Sequence, residues 1–326
     1  MSIILLTAIK NLELDKVSQN IILLICLQEL IVSTLSQQTN PLIAASIIFT
    51  FLLIKRGKEE WAAAFMMLGF LIKIYGIAAL AFIVFSKRPA KFLFYSIAWG
   101  ILFSLMPMLI SSPGFIYNSY VEWISTIFQK HNINIQLRLT DRMQDISLMG
   151  FFRRILNQYI SDYLFIIPAV IFLLLPFLRK AQHKILEFQY SYLALVLLSV
   201  VLFSSSSESP TYIIAMVGAA IWFTKNKKGQ TVQGKLLLVF LLFLTSFSMT
   251  DFFPASIRNN YIIPYSLKAL PCIVIYGIIV WELLFKDFTI KHELAQRDTK
   301  ITQFNKPSLK LVQQRKIYEV ELEEVS

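Results

Sequence analysis

Residues 163–178 read YLFIIPAVIFLLLPFL, sixteen consecutive positions without a charge. A surface helix of a soluble domain carries an apolar stripe and a polar face. This block is apolar on every side, the pattern of a helix surrounded by lipid. Comparable blocks recur along the chain, among them KLLLVFLLFLTSF at 235–247 and IVIYGIIVW at 273–281. Over the 326 residues the hydrophobic fraction is 56% and the mean hydropathy +0.62, more apolar than ordinary soluble domains. The fold class that follows is all-α, a polytopic transmembrane helical bundle.

Hydropathy places segments at about 20–36, 41–54, 61–86, 92–111, 160–178, 188–204, 211–224, 236–249 and 263–285. The loops between them sort by charge. KRGKEE (55–60), KRPAK (87–91) and RKAQHK (179–184) carry three Lys or Arg each, and KNKKGQTVQGK (225–235) carries four. SQQTNP (36–41) and SSSSESP (204–210) carry none, and TDFFPASIRNN (250–260) has Arg258 alone. Basic loops stay on the cytoplasmic side of a bilayer. The polar, hydroxyl-rich loops therefore collect on the extracytoplasmic face of the cell membrane.

Segment 61–86 breaks this alternation, because the loops at both its ends are basic. A bend near Lys73-Ile74-Tyr75-Gly76 removes the conflict. The segment then becomes a broken or re-entrant pair of arms about 18 Å long, which neighbouring helices must shelter. Counting the pair, the bundle has about nine to ten segments.

The long loop 112–159 is predicted to be extracytoplasmic and to carry amphipathic helices. PGFIYNSYVEWISTIFQK places Ile116, Tyr120, Trp123, Ile124 and Ile127 at helical spacing, and MGFFRRIL (149–156) is a second such piece. Residues 1–286 form the membrane domain, and 287–326 read as a charged cytoplasmic tail. The opening MSIILLTA is too short to span and has no basic leader, so it reads as the end of a helix whose beginning is absent.

The formal net charge is +11. The cations sit in short clusters between apolar blocks and build no nucleic-acid module. His131, His183 and His292 are far apart and lack metal-ligand spacing, and Cys26 and Cys272 read as small buried hydrophobes. No metal or cofactor is expected.

Ionisable side chains inside membrane segments are costly and mark candidate sites. Here they are Glu29, Lys73, Asp162, Glu208, Arg258, Lys268 and Glu282. Several have structural readings beside the functional one. Asp162 and Glu282 lie near span ends and can reach the interface, Lys268 can snorkel along its stem, and Glu29 can pair with a neighbour. Lys73 has little polar company in sequence. Glu208 lies in SSSSESPTY (204–212), which admits two readings. One is a helix-entry loop capped by Ser207 or Ser209 with Pro210 at the first helical position. The other puts the carboxylate at a cavity mouth, hydrogen-bonding a polyhydroxylated ligand. In DFFPASIRNNYIIPYSLKALPC (251–272), Arg258, Tyr261, Tyr265 and Lys268 fall at three- and four-residue steps. If helical, they share a face suited to a phosphate at headgroup depth, or they form an anchoring aromatic belt.

In this order the motifs resemble glycosyltransferase family 87 over about residues 15–286. LSQQTNPLIAA is similar to the family's Gly-Gln-x-Asn stretch through Gln38 and Asn40. The 61–86 pair is similar to its helix pair with a central Lys-x-Tyr-Pro through Lys73 and Tyr75, with Gly76 in place of proline. SSSSESPTYIIA stands where many members have a Ser-Pro motif with acid and histidine residues. Only Glu208 and Tyr212 are candidates there. The resemblance implies a C-type glycosyltransferase architecture and a polyprenyl-phosphate-linked sugar donor. It also implies transfer to a glycan or lipid acceptor outside the cytoplasmic membrane.

Substrate binding is then expected at Gln38, Asn40, Lys73, Tyr75, Tyr212, Arg258, Tyr261 and Lys268. Arg258 and Lys268, with Lys73, would stabilise the leaving phosphate. The family's catalytic acid, in its first extracytoplasmic loop, has no counterpart here, which suggests an N-terminally truncated member. The catalytic residue is thus left unassigned, and Glu208 is a poor substitute carboxylate for it. The alternatives are a transporter or flippase of lipid-linked saccharides, which usually shows paired broken helices and internal repeats, a polysaccharide polymerase, and, given the truncation, a catalytically inactive remnant.

Overall fold

The computed structural model describes residues 1–136, 144–225 and 231–289, and within them every regular element is helical. From the N-terminus these are α1 (Ser2–Lys10), α2 (Lys16–Leu35), α3 (Asn40–Lys55), α4 (Glu59–Ile72), a 3₁₀ helix (Ile74–Phe85) and α5 (Pro89–Leu105). There follow α6 (Pro113–Gln136), α7 (Leu148–Leu156), α8 (Tyr163–Leu174), α9 (Leu186–Leu202), α10 (Tyr212–Lys225), α11 (Val232–Leu241), a single turn α12 (Ala255–Ile257) and α13 (Leu270–Phe285). Residues 290–326 of the expected tail, 226–230 of the most basic loop and 137–143 of the long loop lie outside the described residues.

Among the described residues, three helices are long and apolar enough to cross a bilayer: Lys16–Leu35, Pro89–Leu109 and Leu267–Phe285. Other apolar helices are shorter, including Asn40–Lys55, Tyr163–Leu178 and Leu186–Leu202. The chain is a helical membrane protein, and its apolar blocks divide into two kinds by neighbour. α3, α9 and α10 are buried along almost their whole length, so their all-round apolarity is met by other helices. Gly218 of α10 lets α9 approach closely: a Cβ there would lie 2.9 Å from the Ala194 carbonyl oxygen. By contrast, Phe94, Ile97 and Ile101 of α5, Leu164 and Ile167 of α8 and Leu236 and Val239 of α11 are exposed. Lipid is the solvent that suits such faces.

The break expected near Lys73 is present. α4 ends at Ile72, Lys73 is extended (φ −147°, ψ 133°), and the chain continues as a 3₁₀ helix of 12 residues. Such a long 3₁₀ run is uncommon, and at about 2.0 Å per residue it reaches further than an α-helical arm would. The two arms fold onto each other at Gly69 and Gly76. A Cβ on Gly76 would meet the Gly69 carbonyl carbon and the Phe70 nitrogen at 2.3 Å. Backbone cannot yield as a side-chain tip can. Gly76→Ala is therefore expected to lower stability by about 1–3 kcal/mol, read as a lower unfolding midpoint in detergent. An unchanged midpoint would show that the arms can part without cost.

Three local expectations are corrected. The cap before α10 is Glu208, not Ser207 or Ser209, and a 3₁₀ turn (Ser209–Thr211) precedes the helix. Ser207 instead donates to the Val201 carbonyl at 2.6 Å. The segment at 263–285 is not one helix: Ser266 is left-handed (φ 51°), a 3₁₀ turn covers Leu267–Ala269, and α13 begins at Leu270. The stretch Arg258–Ile262 is a π turn, so the common-face geometry of an ideal helix does not hold. α7 is amphipathic as expected, with Phe152, Ile155 and Leu156 exposed on its apolar side, while its polar side turns inward. Its Arg153 and Arg154 are buried, the former between Asp145 and Asp162, the latter on Ser266 and the carbonyls of Gln144 and Ile263. Asp162 is thereby held against Arg153 and is largely buried. Burial pushes the Asp145 carboxyl up, while Ser147 and the two guanidiniums pull it back.

Candidate functional site

The turn after α2 sets the first group. Gln37 is left-handed (φ 53°), and Gln38 follows it toward the helix break. At the break, the Lys73 ammonium donates to Gln38 Oε1 at 2.9 Å and to Asn40 Oδ1 at 2.8 Å. The other face of the Asn40 amide donates to the Pro210 carbonyl at 3.0 Å. One buried amide thus ties the broken pair to the Ser-rich stretch. The Tyr75 hydroxyl and Ser204 Oγ, 3.0 Å apart, form a second tie.

Both partners of Lys73 are neutral amides. They satisfy two of its three donors without cancelling its charge, so the ammonium remains electrostatically open to an anion. Its ammonium also stands 5.7 Å from the Tyr75 ring centroid. Two further charges act on Lys73, Glu208 attracting it and Lys130 repelling it.

These groups surround a cavity of about 490 Å³ lined by Gln38, Lys73, Tyr75, Glu208, three serines (Ser204, Ser205, Ser206) and the α6 residues Trp123 and Lys130. A second cavity of about 430 Å³ shares Ile74, Tyr75, Ser204 and Ser205 with the first. Its remaining lining is mostly aliphatic, with Ile77, Ile166, Val170, Leu173 and Val200, and Asp162 and Ser199 are its polar exceptions. A polar chamber and an apolar one therefore meet at the Tyr75–Ser204 contact.

Glu208 is positioned from two sides. Its backbone N–H donates to Thr211 Oγ1 at 3.3 Å, and Gln144 Nε2 donates to its Oε1 at 2.8 Å. Residues 144–146 are docked on the Ser-rich stretch by the Ile146 N–H to the Ser207 carbonyl, 2.8 Å, and by the Tyr212 hydroxyl to the Ile146 carbonyl, 3.0 Å. Tyr212 is itself buried and reaches neither cavity.

The remaining expected residues lie elsewhere. Lys268 is 1% exposed; it does not snorkel and lines neither of these two cavities. It donates to Glu29 Oε1 at 2.8 Å and to Ser209 Oγ at 2.9 Å, and its ammonium lies 5.1 Å from the Tyr212 ring centroid. Glu29 has the paired role open to it from sequence. Arg258 donates to the Thr250 carbonyl at 3.0 Å and to exposed Asp251 at 3.2 Å, a local staple across its own loop. Tyr261 and Tyr265 are exposed while Lys268 is buried, so the four do not share a face.

Trp123, Lys130 and Gln144 were not singled out as site residues. For α6 the spacing was visible, since Trp123, Ile127 and Lys130 follow helical steps from Tyr120. What could not be read was that this stripe turns onto a cavity.

Among curated proteins and solved structures, none matches the chain. The family model described as "Glycosyltransferase family 87" matches residues 2–171. That range contains Gln38, Asn40, Lys73, Tyr75, Trp123 and Lys130, and it stops short of Glu208, Tyr212 and the 251–272 stretch. With more than half of its length matched, the chain belongs to glycosyltransferase family 87.

Proposed function

We propose that this membrane protein transfers a sugar from a polyprenyl-phosphate-linked donor to a glycan or lipid acceptor on the extracytoplasmic face of the cytoplasmic membrane, its C-terminus lying in the cytoplasm. The observation that carries this reading is the pairing of cavities. The polar one offers Lys73 for a phosphate, and hydroxyls and a carboxylate for a sugar. The apolar one opens from it across Tyr75 and Ser204 and suits the first units of a hydrocarbon chain. A donor of this class is itself divided into a polar head and an isoprenoid tail.

In the transfer step an acceptor hydroxyl oxygen bonds to the anomeric carbon as the bond from that carbon to the phosphate oxygen breaks. The bonding pair leaves with the polyprenyl phosphate, where the Lys73 ammonium meets the developing charge. The acceptor proton passes to Glu208, whose Oε1 is held by Gln144.

The test uses the full chain in proteoliposomes with radiolabelled polyprenyl-phosphate sugars and an added acceptor. Label is expected on the acceptor. Glu208→Gln is expected to lower the rate by about 10²–10⁴-fold at unchanged protein level. Movement of intact donor across the membrane without cleavage would make the protein a transporter and end the proposal.

A further inference from the structure

The polar cavity is lined by three formal charges, Lys73, Lys130 and Glu208. Lys73 and Glu208 alone would sum to zero, a poor field for a phosphate. Lys130 makes the balance positive. Among the described residues it has no hydrogen-bond or ion-pair partner, so its ammonium is uncommitted.

Lys130 also sits on a different kind of element. Lys73 belongs to the packed helix break, whereas along α6 to Lys130 only Ile116 is buried. Apart from that contact, α6 is tied down by the Tyr120 hydroxyl on the Ser104 carbonyl, 2.8 Å, and by Trp123 edge-on to Phe70 at 6.5 Å. Its outer side presents Tyr117, Val121 and Ile124 on one exposed apolar stripe. Such thin attachment gives a low cost of local opening.

We propose that Lys130 is the second cation of a phosphate site begun by Lys73, and that α6 is the movable half of that site. Seated across the cavity, α6 brings Lys130 to the phosphate and completes the site. Lifted, it leaves Lys73 facing Glu208 alone and lets the ligand leave. The inference rests on the cavity being the donor site. The chemistry it names, a phosphate between two ammonium groups, could be met by a lipid phosphate or by free phosphate.

The test uses the full chain in phosphatidylcholine nanodiscs, titrated separately with undecaprenyl phosphate, undecaprenol and inorganic phosphate. Binding is followed by tryptophan fluorescence against a Trp123→Phe control, and seating by amide hydrogen exchange over residues 113–130. Undecaprenyl phosphate is expected to bind and to slow exchange in α6. Lys130→Ala should weaken that binding about tenfold or more and abolish the slowing, Lys130→Arg should preserve both, and undecaprenol binding should not change. Inorganic phosphate that binds with the same dependence on Lys130 would support the two-lysine site and name the free anion as sufficient. Equal binding by wild type and Lys130→Ala would overturn the role of Lys130. Binding without slowed exchange would overturn the movable half. Failure of wild type to bind any of the three probes would remove the donor site itself, and with it both ideas.

Discussion

Lys73→Ala is expected to lower sugar transfer by about 10²–10³-fold, the range for losing one preorganised group that meets developing charge. The physical reason is the pairing of its ammonium with amides instead of carboxylates. Gln38 and Asn40 hold the charge in place and leave it unneutralised. After truncation Gln38 still faces the cavity and buried Asn40 keeps its bond to the Pro210 carbonyl, so the fold should survive, and the unfolding midpoint should move little compared with the rate. Lys73→Arg should retain part of the rate, because a guanidinium keeps the charge but not the compact geometry that fits between two amide oxygens. Arg258→Ala serves as the contrast. Its side chain binds the Thr250 carbonyl and the exposed carboxylate of Asp251, and it lines neither cavity. Its transfer rate is expected to stay within about threefold of wild type, as for surface pairs of small worth. If Arg258→Ala fell as far as Lys73→Ala, the phosphate would have to bind at the 251–272 stretch instead.

The largest stability effect is expected at the Glu29–Lys268 pair. Both side chains are essentially buried, Glu29 at 0% and Lys268 at 1% exposure, and one carboxylate oxygen of Glu29 has no hydrogen-bond partner among the described residues. Lys268→Met leaves a lone buried carboxylate, which costs about 3–5 kcal/mol; removing both charges together is often nearly neutral. The single variant should therefore unfold far earlier in detergent, and Glu29→Gln combined with Lys268→Met should recover most of the loss. Because Lys268 also donates to Ser209, the double variant should keep its stability yet lose part of its transfer rate through a looser Ser-rich stretch. A double variant as unstable as the single one would show that the pair's worth lies in packing and not in charge.

The helix break illustrates how much a linear reading can carry. Basic loops on both sides of 61–86 and a lone lysine inside it required a bend near residue 73, and the chain does turn there. The ties from that bend to Gln38 and Asn40 had no signal in the sequence, since a lysine's partners 35 and 33 positions away leave no local mark. Lys268 shows the opposite case. Its spacing from Arg258 looked like a shared face, but a left-handed residue at Ser266 turns the backbone between them and sends Lys268 inward to a carboxylate on α2. Arg153 and Arg154 make a related point. Helical periodicity separates polar from apolar faces and says nothing of whether the polar face meets water or two aspartates.

What the sequence by itself determined was the solvent and the secondary structure. Long uncharged blocks can be accommodated only as helices among lipid or other helices, and basic loops order them. Tertiary structure alone decided which apolar helices are wrapped by protein, which cations are cancelled and which stay open, and that α6 roofs a cavity. Those outcomes depend on partners brought together from distant positions, and neither hydropathy nor spacing encodes such distances.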